Sequence, residues 1–136
     1  MKLSLLDTDT LSEVLKQKDS NVVRHASNYL AQHQQFAISA MTRYEVLRGL
    51  KDTNATRRMQ DFEIFCQNAE LYPITDEVLD RSADLWVEAR KGGHPRYDAD
   101  LIIAATALEH GRVLVTGNTP HFSWVPGLVI ENWRDA

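Results

Sequence analysis

The 136 residues contain a single cysteine, Cys66, so no internal disulfide can form and no paired C-x-x-C zinc motif can be assembled. Its setting in Asp61-Phe-Glu-Ile-Phe-Cys-Gln-Asn-Ala69, beside Phe62 and Phe65, predicts a buried small hydrophobe rather than a catalytic thiol. Proline and glycine are also scarce, at four and six, and no Gly/Ser/Pro-rich stretch, repeat or low-complexity tract marks a domain boundary. One domain over 1–136 is the expectation. No apolar run approaches the ~20 residues needed to span a bilayer, and Met1-Lys-Leu-Ser-Leu-Leu-Asp-Thr-Asp-Thr10 turns acidic before a signal-peptide hydrophobic region can develop. A cytoplasmic protein without a membrane partner is expected. An excess of positive charge is missing too: 15 basic against 19 acidic residues give a net charge of -4, which argues against a protein that coats nucleic acid. Any RNA would have to be held locally.

What is present is 43% hydrophobic residues arranged in alternating short runs and amphipathic stretches, enough for one core. Leu3-Ser-Leu-Leu6 reads as a strand, halted by the capping-type residues Asp7-Thr-Asp-Thr10 before the helical Leu11-Ser-Glu-Val-Leu-Lys-Gln17. Val22 to Gln34 continues helical, Phe36 to Ser39 is a second strand, and Met41 to Leu50 and Thr56 to Ala69 are helices, the latter amphipathic around Met59, Phe62, Ile64 and Phe65. Leu71 to Ile74 is a third strand whose Pro73 suits a sheet edge. Asp76 to Lys91 is a helix stopped by Gly92-Gly93, and the helix that starts at Asp100-Leu-Ile-Ile-Ala-Ala is apolar on nearly every side, which predicts burial. Strands at Val113 to Thr116 and Leu128 to Ile130 complete the pattern.

Short apolar strands alternating with helices predict an α/β fold with a mainly parallel sheet covered on both faces, whose functional edge lies at the strand carboxyl ends. Asp7 and Asn118 fall just beyond two such ends, Glu45 follows the second strand, and Asp100 opens the buried helix. Each has a plain structural alternative. Asp7 or Asp9 can cap a helix, Thr42-Arg-Tyr-Glu45 matches a capping box, Asp100 complements a helix dipole, and Asn118 suits a turn. Taken together, four oxygen-bearing side chains at one sheet edge make a candidate cage for a hard cation. With no zinc-type Cys/His set, Mg²⁺ is the expected ion and Mn²⁺ its substitute. An ion so held can activate water and neutralise charge as a phosphodiester is hydrolysed.

These motifs resemble the PIN-domain nucleases, and within them the VapC-type ribonuclease toxins of type II toxin-antitoxin pairs. The resemblance is carried by Leu5-Leu-Asp7-Thr-Asp9, Ile38-Ser-Ala-Met-Thr-Arg-Tyr-Glu45-Val-Leu-Arg-Gly49, Asp98-Ala-Asp100-Leu-Ile-Ile-Ala-Ala-Thr-Ala107 and Leu114-Val-Thr-Gly-Asn118-Thr119, with Val125-Pro-Gly-Leu-Val-Ile-Glu-Asn-Trp133 like the family's usual ending. It implies a PIN-like three-layer α/β/α domain and a magnesium-dependent endoribonuclease acting on single-stranded or loop RNA, with transfer RNA a common target. It also implies a small antitoxin partner and a homodimer, for which Trp124 and Val125 would supply exposed apolar surface. Asp7, Glu45 and Asp100 match the family's acidic metal positions. Asn118 stands where many members carry a fourth Asp, a departure that removes one negative charge, and Asp98 is a secondary candidate.

Two local basic groups could hold phosphate: Arg43, Arg48 and Lys51 around Glu45, and Lys91, His94 and Arg96 before Asp100; solvated helix surface is the alternative. His121 is the histidine nearest the constellation and a candidate substrate contact, whereas His25 and His33 read as helix surface. Two other functions compete: a binding-only PIN-like protein that has lost turnover through Asn118, and a phosphoacceptor receiver domain. The receiver pattern fits poorly, because the second strand runs into Ser39-Ala-Met-Thr42 without an acceptor Asp and Val115-Thr-Gly-Asn118 lacks the required Lys.

Overall fold

The computed structural model describes all residues, 1–136. In chain order it contains β1 (Ser4–Leu6), α1 (Thr8–Lys16), α2 (Ser20–His33), β2 (Ala37–Ser39), α3 (Ala40–Asp52), α4 (Thr56–Gln67), β3 (Glu70–Tyr72), α5 (Asp76–Gly92), α6 (Asp98–Glu109), β4 (Val113–Val115), α7 (Thr119–Phe122) and β5 (Ile130–Glu131). The five strands form one sheet in the order β3-β2-β1-β4-β5, and every pairing is parallel. Strands so short are stable only when buried between helices, and β1, β2 and β4 are buried at every residue.

The pleat sorts adjacent side chains to opposite faces. Leu5, Ala37 and Leu114 join one core cluster with Val78 and Leu85 of α5 and Leu101, Ile103 and Ala104 of α6. Leu6, Ile38 and Val115 join the other, with Leu11 and Val14 of α1, Tyr29 of α2, Phe62 of α4 and Trp133. This is the three-layer α/β/α arrangement expected from the sequence. Cutting a buried leucine such as Leu114 to Ala would cost about 2–5 kcal/mol through lost burial and the cavity left behind.

Helix starts follow local capping chemistry. Asp7 accepts from Thr10 N, Asp19 from Asn21 and Val22 N, Ser39 from Met41 N and Thr75 from Val78 N. Asp19 therefore starts α2 two residues before the expected Val22. Ser39 caps α3, so Thr42 is buried inside the helix and the Thr42-x-x-Glu45 capping box does not form. The last strand lies at Ile130–Glu131 rather than 128–130, and α7, with Pro120 in its first turn, was not expected. Two apolar expectations are corrected. Ile64 is 58% exposed because the sheet touches only the Phe62 side of α4, and Val125 is 5% exposed, packed under α6 instead of offering docking surface. Cys66 is half-buried against the second cluster, and burial pushes its thiol pKa up, consistent with an unreactive thiol.

Connections after β1 and β2 run toward β3, whereas β4 is laid on the opposite side of β1. The change of direction falls between β1 and β4, and their carboxyl ends open a crevice there. No helix is long and apolar enough to cross a membrane.

Candidate active site

Asp7 is the first residue past β1. Its N–H still donates to Val115 O across the sheet at 3.0 Å, and its Oδ1 accepts from Thr10 N at 2.9 Å, so the carboxylate is locked at the crevice. It is only 5% exposed. Burial, then proton sharing with and the charge of neighbouring Asp9, push its pKa up to about 8, against a smaller opposing pull from the Thr116 hydroxyl and the Thr10 N–H. Asp9 Oδ1 is buried without any hydrogen-bond partner. Gly117 leaves room for this carboxylate, since a Cβ there would stand 3.0 Å from Asp9 Oδ2. Two carboxylates thus crowd one site.

Glu45 reaches the crevice from the middle of α3, where Thr8 donates to its Oε1 over 2.6 Å; the Thr8 and Thr42 hydroxyls are 3.3 Å apart. Arg48 lies 4.0 Å from Glu45 Oε2, an exposed pairing worth little energetically. Asp100 sits in the first turn of α6, and its Oδ2 is 2.8 Å from His121 Nδ1. Asn118 follows β4, its N–H donating to Thr116 Oγ1 at 2.9 Å and its side-chain nitrogen 2.8 Å from the same His121 Nδ1.

Asp7, Glu45, Asp100 and Asn118 line one open cavity of about 630 Å³, together with Thr8, Asp9, Glu13 and Lys16. Asp98, exposed at the first position of α6, does not line it. Arg43 approaches Cys66, Arg48 leans over Tyr44, and Arg96 lies 5.2 Å over the Trp86 ring, so none of the three expected phosphate-binding arginines lines the cavity. Lys16 lines the cavity and Arg134 stands beside it, 3.8 and 3.6 Å from Glu13, as Arg48 stands beside Glu45. Asp9, Lys16 and Arg134 were missed by sequence reasoning. Asp9 carried a signal in its two-residue spacing from Asp7, but Arg134 is brought to the site by the chain end and had none.

No three Asp, Glu, His or Cys side chains converge as a finished metal-ligand cluster, so the expected oxygen cage is an open arrangement. The residues nonetheless fit a hard divalent cation. Their donors are oxygens, an Asp9 oxygen is buried and unpartnered, and a cation would offset the burial and the Asp9 charge that together drive Asp7 to hold a proton. Mg²⁺ needs only one or two protein carboxylates, because it keeps several waters that bridge to more distant groups.

An all-parallel sheet with acidic residues gathered at the β1/β4 crevice defines a class, and a PIN-domain family model matches residues 4–125: the chain belongs to the PIN-domain family. Within it, the chain is similar to VapC proteins. It is 26% identical over 130 residues to the tRNA(fMet)-specific endonuclease VapC of Salmonella typhimurium, covering 95% of this chain and 96% of that one. To ribonuclease VapC2 of Rickettsia felis it is 28% identical over 105 residues, 76% of this chain and 78% of that one. The crystal structure of DNA-bound VapBC from Salmonella typhimurium contains a chain that superimposes with a TM-score of 0.85 at 26% identity, covering 98% and 99% of the two chains.

Proposed function

We propose that the protein is a metal-dependent endoribonuclease, the toxin of a type II toxin-antitoxin pair, that hydrolyses RNA phosphodiester bonds with Mg²⁺, or Mn²⁺ in its place. The observation that carries this reading is the buried Asp7, paired with Asp9 and facing Glu45 and Asp100 across one cavity at the β1/β4 crevice. Asp7, Asp100 and Glu45 would hold the ion, Asp9 adding charge beside Asp7. When bound, it supplies a water of lowered pKa and neutralises charge on the phosphate under attack.

The chain's own residues do the rest. The Thr10 N–H and Thr116 hydroxyl fix Asp7, and Thr8 fixes Glu45, so the carboxylates are oriented before substrate arrives. Lys16 and Arg134, both beside Glu13, supply local positive charge for a substrate phosphate, which answers how a chain of net charge -4 can hold RNA. The names of the two VapC relatives support RNA as substrate, transfer RNA included; the cytoplasm is the compartment proposed for its cleavage.

The VapBC assembly of the Salmonella relative supports a small antitoxin partner, which would cover the cavity. A second copy of this chain is the other partner assigned. Leu79, Trp86 and Val87 leave an apolar stripe on α5, each at least 40% exposed, as a self-association surface in place of Val125. Light scattering of the purified chain checks this, and a monomer at high concentration contradicts it.

Sequencing of RNA ends after induced expression tests the function. New 5′ ends should accumulate at defined sites with the wild-type chain and be absent with Asp100→Ala. Identical ends from both would contradict the nuclease reading and favour a binding-only protein.

A further inference from the structure

Three polar groups meet at one ring nitrogen. His121 Nδ1 lies 2.8 Å from Asp100 Oδ2 and 2.8 Å from the side-chain nitrogen of Asn118. The ring is held in place: Tyr97 stacks on it with centroids 5.0 Å apart and 26° between planes, and the His121 carbonyl accepts from Trp124 Nε1 at 2.9 Å. Phe122, the next residue, is 2% exposed and anchors α7 in the core.

A ring nitrogen carries either a hydrogen or a lone pair, never both. A lone pair on Nδ1 could accept from the Asn118 NH₂, but it would then face the carboxylate of Asp100, two acceptors at 2.8 Å in a half-buried setting. That arrangement sets two acceptors against each other with no hydrogen between them. A hydrogen on Nδ1 satisfies Asp100 and leaves the NH₂ of Asn118 facing another donor. Turning the amide over removes the conflict: Oδ1 shares the Nδ1–H, and the NH₂ faces the cavity that Asn118 lines.

We propose that His121 is a positioning residue that donates from Nδ1 to both Asp100 and Asn118, fixing the carboxylate and turning the Asn118 NH₂ toward the cavity. Asn118 is then a donor to a phosphate oxygen of the substrate and not a ligand of the cation. The inference rests on the reading of Asp100 as a cation-holding group, and it gives a neutral residue a task that a fourth carboxylate could not perform.

The first test needs neither metal turnover nor RNA. Long-range ¹H–¹⁵N spectra of the metal-free protein at neutral pH should show a protonated, pyrrole-like Nδ1 on His121; a pyridine-like Nδ1 overturns the proposal. The second is Mg²⁺ titration by calorimetry. His121→Asn, which keeps a donor near the Nδ1 position, should hold Mg²⁺ affinity within about threefold, whereas His121→Leu should lower it by about tenfold or more. Asn118→Ala should leave Mg²⁺ affinity within about twofold and raise the KM for RNA; a tenfold loss of Mg²⁺ affinity there would make Asn118 a ligand and overturn the assignment. If the wild-type chain binds no Mg²⁺, the nuclease reading falls, and the ring-nitrogen spectrum still decides whether His121 donates to Asp100.

Discussion

Thr8, the first residue of α1, donates its hydroxyl hydrogen to Glu45 Oε1 in the middle of α3 over 2.6 Å. The bond joins the helix that follows β1 to the helix that follows β2, and it fixes a carboxylate that sits in mid-helix, six residues past the end of β2. Thr8→Val keeps the shape and removes the donor. It should lower Mg²⁺-dependent cleavage by about tenfold, within the range for groups that orient ligands, while stability changes by about 1 kcal/mol or less. Cleavage rates with a parallel denaturant melt check this; undiminished cleavage would remove Glu45 orientation from the mechanism.

Asp7 links the site to pH. Its carboxyl moves from an ordinary value of 3.8 to about 8 in the folded chain without metal. Between those values the folded protein holds a proton that the unfolded chain has released. The stability contribution is therefore complete below pH 4 and is lost as pH rises through 8. Melting temperature in EDTA should fall across this window, and Asp7→Asn should flatten the decline, exceeding the wild-type chain at pH 8 by on the order of a few kcal/mol at most. Added Mg²⁺ should stabilise the wild-type chain more at pH 8 than at pH 5, because at the lower pH it competes with the proton. Equal Mg²⁺ stabilisation at both values would contradict the burial argument.

Lys16 lines the cavity and Arg134 stands beside it at Glu13. If they grip phosphates, Lys16→Ala and Arg134→Ala should each raise the KM for RNA several-fold with little change in kcat. Each should also reduce the salt-dependence slope by about 0.7, the value for one contact to a single strand. Slopes measured between low and moderate salt check this, and an unchanged slope would leave both as surface cations.

Stability has a separate anchor at the opposite end of the sheet. The Arg112 side chain is 8% exposed and bonds Glu70, the Tyr72 hydroxyl and Ser4 O at 2.8 to 3.1 Å, tying β1 to β3 across β2. Arg112→Ala should cost about 2–4 kcal/mol in a denaturant melt by stranding these partners. At temperatures where the variant stays folded, cleavage should be unchanged.

The legibility of this chain follows the range of its interactions. The strands, the buried α6 and the carboxyl-edge positions of Asp7 and Asn118 were readable because apolar runs and stop residues are local signals. The Thr42-x-x-Glu45 motif misled because a second capping residue, Ser39, stands three positions earlier and takes the cap. Helix α7 escaped notice because four residues have no periodicity; buried Phe122 holds it in place. The pairing of His121 with Asp100 spans 21 residues, and that of Arg134 with Glu13 spans more than a hundred. Contacts of that kind are set by the crossover of β4 beside β1, which no local pattern encodes.

The most direct measurement is cleavage of a single-stranded RNA by the purified chain with Mg²⁺, beside Asp100→Asn, with circular dichroism confirming that both are folded. The wild-type chain should cleave, lose activity in EDTA and regain it with Mg²⁺ or Mn²⁺, while Asp100→Asn falls by at least about a hundredfold. Cleavage that persists in EDTA, or that Asp100→Asn retains in full, would contradict a carboxylate-held metal centre.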